Sequence, residues 1–338
     1  MARTTTKMTS RKIDIIRQPI PTLLATFGVL VTLLTIRSVR SPHPAEVATD
    51  FLSPLGVWLN GLLGSGGGIA ATILATIVSG VIITRIISRY SISVIRSFMP
   101  MVLYIIGVGV VAFSPQNPSL HLCWLLLLRS AELMIAGFKR YEMFDSVMCS
   151  AVYMAIAALL VPDLVWVVPL LVIEWFVFRR SPREMVAAVV AMCGPVAICT
   201  FAWWTADHNV WCFAEGWAAA LTKPTLIDFG SLIRECGGVM TTIALGLYTL
   251  LSLLSIATII TNNQGMRLRA RKIHICFTIL WFIGLAMLLV GVPFAVALPT
   301  MAIGAIPLIH TFFVKHSGVF SALYYVALVA VAIATLFA

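Results

Sequence analysis

Arg129 and Glu132 stand three residues apart inside HLCWLLLLRSAELMIAGF, residues 121–138, a stretch that is otherwise apolar and long enough for a membrane helix. That spacing puts a guanidinium and a carboxylate on one helix face, within reach of each other. Charge at such depth is costly in hydrocarbon, so the pair must face protein or a water-filled cavity. Two kinds of chemistry fit it: substrate binding or proton coupling at membrane depth, and a buried ion pair that fixes helix register.

Other residues with chemical potential lie in the connections. Glu46 and Asp50 are four residues apart and share a face if their segment is helical. Paired carboxylates serve as general base and electrostatic partner in group transfer, and in an exposed loop they are otherwise simply solvated. Arg37 and Arg40 suit a phosphate or pyrophosphate headgroup, or snorkel from a helix end. Glu174 lies within two turns of Arg179 and Arg180 and reads as their partner. Trp203, Trp204, Trp211 and Trp217 form either an aromatic belt at the membrane surface or a stacking platform for a sugar or lipid headgroup, with Asp207, His208 and Glu215 nearby. Cys212 and Cys236 fall on the expected outer side, where an oxidising compartment allows a disulfide. The six histidines never form HxH, HxxxH or HExxH, so no metal site is signalled, and no Walker loop, dinucleotide fingerprint or Ser-His-Asp order points to a cofactor or soluble-type active site.

The elements that must position these residues follow from composition. With 60% hydrophobic and 11% charged residues the chain lies far from soluble domains, and its apolar runs have helix length rather than the short alternation of a barrel. The expected fold is an all-α, multi-pass bundle forming a single transmembrane domain over 1–338. Spans are expected at about 20–36, 67–87, 98–113, 119–137, 145–161, 163–178, 184–204, 237–260, 273–290, 294–313 and 319–337, eleven in all. With Arg85, at the end of its span, counted with the adjoining connection 88–97, eighteen of the 23 Lys and Arg residues then fall in one set of alternating connections and four in the other, which leaves Arg129 within the membrane. The positive-inside rule therefore predicts a cytoplasmic N-terminus, with the basic tail 1–19 uncleaved, and an extracytoplasmic C-terminus. It also explains the net charge of +10 without nucleic acid.

Two outer connections are long, 37–66 and 205–235. The first contains FLSPLGVWLNGLL, whose apolar stripe predicts an interfacial helix, followed by GSGGG as the turn into the next span. Prolines 293, 299 and 307 predict bends in the last helices.

At SISVIRSFMPMVLYIIGVGVVAF, FDSVMCSAVYMAIAALLVPDLVWVVPLLVIEWFVF and SPREMVAAVVAMCGPVAICTF the chain resembles a family of uncharacterised polytopic inner-membrane proteins of the Bacteroidetes, over about residues 50–205. That resemblance implies a cell inner-membrane location and assigns no site residue. The layout of cytoplasmic N-terminus, acidic first outer loop, interfacial helix and about eleven spans is also similar to membrane glycosyltransferases that use polyprenyl-phosphate sugars. Their catalytic acid lies in the first outer loop, which here offers Glu46 and Asp50, although neither sits in a recognisable motif and no large outer domain follows.

Three functional readings follow. The first is handling of a lipid-linked or envelope glycan at the outer face, with Glu46 or Asp50 as base and Arg37, Arg40 and Arg129 on phosphate. The second is a transporter or flippase built on Arg129 and Glu132. The third is a non-catalytic scaffold that holds a membrane-protein partner. Membrane lipids are expected partners in all three.

Overall fold

The computed structural model describes residues 52–90, 92, 97–110, 117–136, 144–222, 239–262, 265–316 and 319–337, with 27, 28, 31 and 35. Among the described residues there are helices and turns and no strand.

α1 (Pro54–Arg89) begins at Ser53, whose hydroxyl accepts from the Gly56 amide, with proline in the first turn. Gly64 has φ 63° and ψ −176°, and this one residue breaks the helix into the expected surface helix and the following span, Gly66–Arg89. Only glycine takes that backbone without strain, so the turn needs one residue of GSGGG and the remainder is helical. Before the bend, Asn60 Nδ2 donates to Asn117 Oδ1 at 3.1 Å and Asn60 Oδ1 accepts from the Ser119 amide at 3.0 Å, pinning α1 to the start of α3 (Pro118–Ala136).

Between them, α2 (Met99–Tyr104) widens into a π-helical turn, Ile105–Val110. The Tyr248 hydroxyl donates to the Leu103 carbonyl at 2.6 Å, taking an acceptor from the helical ladder. Gly107 makes room for it, because a Cβ there would lie 2.7 Å from that hydroxyl.

α4 (Phe144–Leu160) packs along α3 through a reciprocal pair: Ser130 Oγ donates to the Ser150 carbonyl at 2.8 Å and Ser150 Oγ to the Ser130 carbonyl at 3.0 Å. A 3₁₀ segment, Pro162–Val167, leads into α5 (Val168–Phe178). Arg179, in the left-handed region at φ 54°, ends α5. Two residues later Ser181 and Glu184 form a capping box that opens α6 (Pro182–Thr205). α7 (Cys212–Thr222) is a short helix inside the expected second outer connection. α8 (Val239–Thr261), α9 (Leu268–Leu289), α10 (Phe294–Lys315) and α11 (Val319–Phe337) complete the described chain.

Helix therefore stands at each expected segment from residue 67 onward. Among the described residues six helices are long and apolar enough to cross a membrane: Gly66–Arg89, Pro118–Ala136, Pro182–Thr205, Val239–Thr261, Leu268–Leu289 and Phe294–Lys315. The architecture is an all-α, multi-pass membrane bundle.

Its centre is α10, not the charged helix α3. The apolar window of α10 is 94% buried, against 61% for α3. Antiparallel α9 and α10 touch backbone to backbone: a Cβ on Gly304 would lie 2.5 Å from the Trp281 nitrogen, and one on Gly284 would lie 2.5 Å from the Met301 nitrogen. Small residues at the crossing are the usual way that membrane helices gain packing, since lipid leaves them little hydrophobic drive to associate.

Candidate functional site

The carboxylate of Glu132 is buried on α3 and serves two cations. Arg129 Nη1 donates to its Oε2 from one turn away, and Arg85 Nε, one turn before the end of α1, lies 3.1 Å from its Oε1. Arg129 is thus only half of the counter-charge. Glu132 stands four residues before the last residue of α3, about 6 Å along the axis, and Arg129 seven residues before it, about 10 Å, so the carboxylate is displaced from mid-depth toward one end of the bundle.

That end is strongly basic. Arg180 Nη2 donates to the Met134 carbonyl at 2.9 Å, and Arg269 Nη2 to the Ile135 carbonyl at 3.1 Å, so two guanidiniums satisfy the last carbonyls of α3. Arg269 also lies over the Tyr90 ring, 4.3 Å from its centroid, and Arg89 lies 5.9 Å from the same ring. Burial raises the Tyr90 pKa and the nearby Arg89 opposes that shift most strongly. Glu174 is buried on α5 and feels Arg180, as its spacing predicts, although Arg180 also lies 4.0 Å from Glu184.

The second feature lies along α4, α5 and α6. α6 packs on α4 and leaves most of its surface open, with 11% of its apolar window buried. Between it and α5 runs an apolar slot of about 980 Å³, lined by residues including Leu171, Trp175, Val189, Val196, Thr200 and Trp204. From Val189 to Trp204 the slot follows α6 for about 22 Å. Pro195 falls midway and removes one ladder hydrogen bond, which places a bend point in the outer wall.

α7 roofs one end of the slot. Trp217 Nε1 donates to the Ala158 carbonyl at 2.9 Å, and Trp166 Nε1 to the Ala220 carbonyl at 3.1 Å, so two indoles fasten this helix to the end of α4 and the 3₁₀ segment. Val210 and Trp217 line the slot from the roof. Beside it, Trp203 packs against His208 with centroids 5.0 Å apart and against Phe213 at 5.9 Å. Asp207 takes φ 59°, and Asn209 Nδ2 lies 3.4 Å from both oxygens of Glu215. The tryptophans thus divide: Trp217 anchors the roof, while Trp204 and Trp211 are exposed.

Arg37, Arg40, Glu46, Asp50 and Cys236 lie outside the described residues. Cys212 is half-buried at the start of α7. Two buried histidines lie against threonines of neighbouring helices: His121 Nδ1 lies 3.2 Å from Thr76 Oγ1 and His274 Nε2 lies 3.4 Å from Thr311 Oγ1. The fully buried His310 has no hydrogen-bond partner on either ring nitrogen among the described residues.

Sequence reasoning missed Arg85 as the second partner of Glu132, although its place at the end of an apolar run signals a need for a counter-charge. It also missed the slot. Comparison with protein families, curated proteins and solved structures finds no match.

Proposed function

We propose that this chain handles a lipid-linked or envelope glycan at the outer face of the cell inner membrane, with the lipid chain in the slot between α5 and α6. The observation that carries this reading is the slot itself. Its volume of about 980 Å³ is at the upper end of ligand sites, and its lining is almost wholly apolar. Its run of about 22 Å along α6 is longer than one leaflet of roughly 15 Å, half the hydrocarbon core, which fits a polyprenyl chain better than an ordinary acyl chain.

The roof supports a sugar at the slot's end. Carboxylates such as Asp207 and Glu215 accept from hydroxyls and repel phosphate, and aromatic rings suit the apolar face of a pyranose. The phosphate of a polyprenyl-phosphate substrate then falls to Arg37 and Arg40, with Glu46 or Asp50 as base. In this reading eleven spans cross the membrane, the N-terminus is cytoplasmic, and the roof end faces outward.

The transporter reading places exchange at Arg129 and Glu132. Glu132 stands one turn from the end of α3 and Arg129 about two turns from it, and the offset of the carboxylate from the midplane, where transporters bind, favours the slot as substrate site. In the scaffold reading, a partner helix occupies the slot.

Filling the slot tests the proposal. The full chain in nanodiscs is irradiated with a diazirine-bearing polyprenyl phosphate, and the labelled peptides are mapped. Label is expected on α5 and α6 in the wild type, and about tenfold less of it in Ala197→Trp, which puts an indole in the slot. Equal labelling of the two proteins contradicts the proposal.

A further inference from the structure

The basic end has a geometry that solvated positive-inside charge does not require. Glu132 is withdrawn from water and both of its oxygens are engaged, Oε1 by Arg85 and Oε2 by Arg129. Each guanidinium turns one edge toward the carboxylate, while its side chain stays 53% exposed for Arg85 and 39% exposed for Arg129. Arg presents five donors in a planar fork, so most donors of both residues remain beyond those used on Glu132. Arg89, one turn along α1 from Arg85, is held near the Tyr90 ring, and Arg269 lies over that ring from α9. Two guanidiniums thus grip one buried carboxylate, two more gather at the neighbouring Tyr90 ring, and Arg180 with Glu184 forms an ion pair elsewhere.

We propose that Arg85, Arg89 and Arg129, organised by Glu132, bind the phosphate of an anionic phospholipid headgroup at the basic end of the bundle. Guanidinium forks match phosphate oxygens in bidentate fashion. A carboxylate buried between two of them fixes their direction before the anion arrives, so less side-chain freedom is lost on binding. The location selects the source: Arg89 stands in the last turn of α1, with Arg85 one turn and Arg129 about two turns before the ends of α1 and α3, so the cluster opens toward the level where membrane helices meet headgroups. The site is at the end of the bundle away from the α7 roof and is independent of the slot.

The test titrates the full-length chain in detergent with dioleoyl phosphatidylglycerol and, separately, dioleoyl phosphatidylcholine, counting bound lipids by native mass spectrometry. The wild type is expected to prefer phosphatidylglycerol by about thirtyfold, two basic side chains contributing about fivefold each and their shared geometry the rest. Arg85→Gln with Arg129→Gln removes the preference, and Arg183→Gln, at an exposed arginine off this cluster, keeps it. Soluble glycerol phosphate at millimolar concentration leaves the lipid bound. Equal binding of the two lipids by the wild type overturns the site, as does an equal loss in Arg183→Gln. Displacement by glycerol phosphate overturns the lipid as its source.

Discussion

Gly304→Leu is expected to abolish the folded bundle, and Gly304→Ala to lower its stability by about 3 kcal/mol. A Cβ at Gly304 lies 2.5 Å from the Trp281 nitrogen, 2.8 Å from the Trp281 Cα and 2.9 Å from the Phe277 carbonyl oxygen. All three are backbone atoms in a helix interior, which cannot swing aside as a side-chain tip can. Restoring ordinary contact requires α9 and α10 to separate by about 1 Å, and the separation forfeits dispersion along the whole seam. Because α10 is the most buried helix, α3 and α8 lose contact with it as well. Thermal melting of the purified chain in nanodiscs reads the effect; an unchanged melting temperature for Gly304→Ala contradicts this view of the core. The paired substitution Gly284→Ala strains the same seam, so the two effects are not additive.

Removing both arginines from Glu132 has the next largest effect. Arg85→Ala with Arg129→Ala leaves a buried carboxylate without its cations, a change expected to cost about 3 kcal/mol. Each single substitution costs less, because the other guanidinium remains and both are partly exposed. The discriminating variant adds Glu132→Gln to the pair. A neutral amide no longer needs two cations, so the triple variant is expected to melt above the double. If the triple variant melts below the double, Glu132 is held by something other than the two arginines.

These effects also show which parts of the structure were legible in the chain. Apolar runs bounded by Arg, Pro and Ser mark the helices, because hydrocarbon demands internally bonded backbone of fixed length; α6 opens at Ser181 and Pro182, and α1 ends at Arg89. The turn after the surface helix was legible in GSGGG, and the structure narrows it to Gly64. The central role of α10 was not legible. Charge attracts attention to α3, whereas close packing is written in small residues such as Ala302 and Gly304, which look alike at a seam and on a lipid face. α7 left a fainter trace, in the spacing of Phe213, Trp217 and Ala220 along one face. The role of Arg85 was not legible, because its partner comes from another helix and no local spacing reveals such a pair. The slot was invisible for a simpler reason: a cavity is made by atoms that do not touch.

The central claim is that a long lipid chain lies between α5 and α6. A density map of the protein extracted from its native membrane directly into nanodiscs tests it most directly. The account predicts an elongated density running from beside Val189 to the α7 roof, ending near Trp204 and Asp207. A map in which α6 closes onto α5 and leaves no space between Val196 and Leu171 contradicts it.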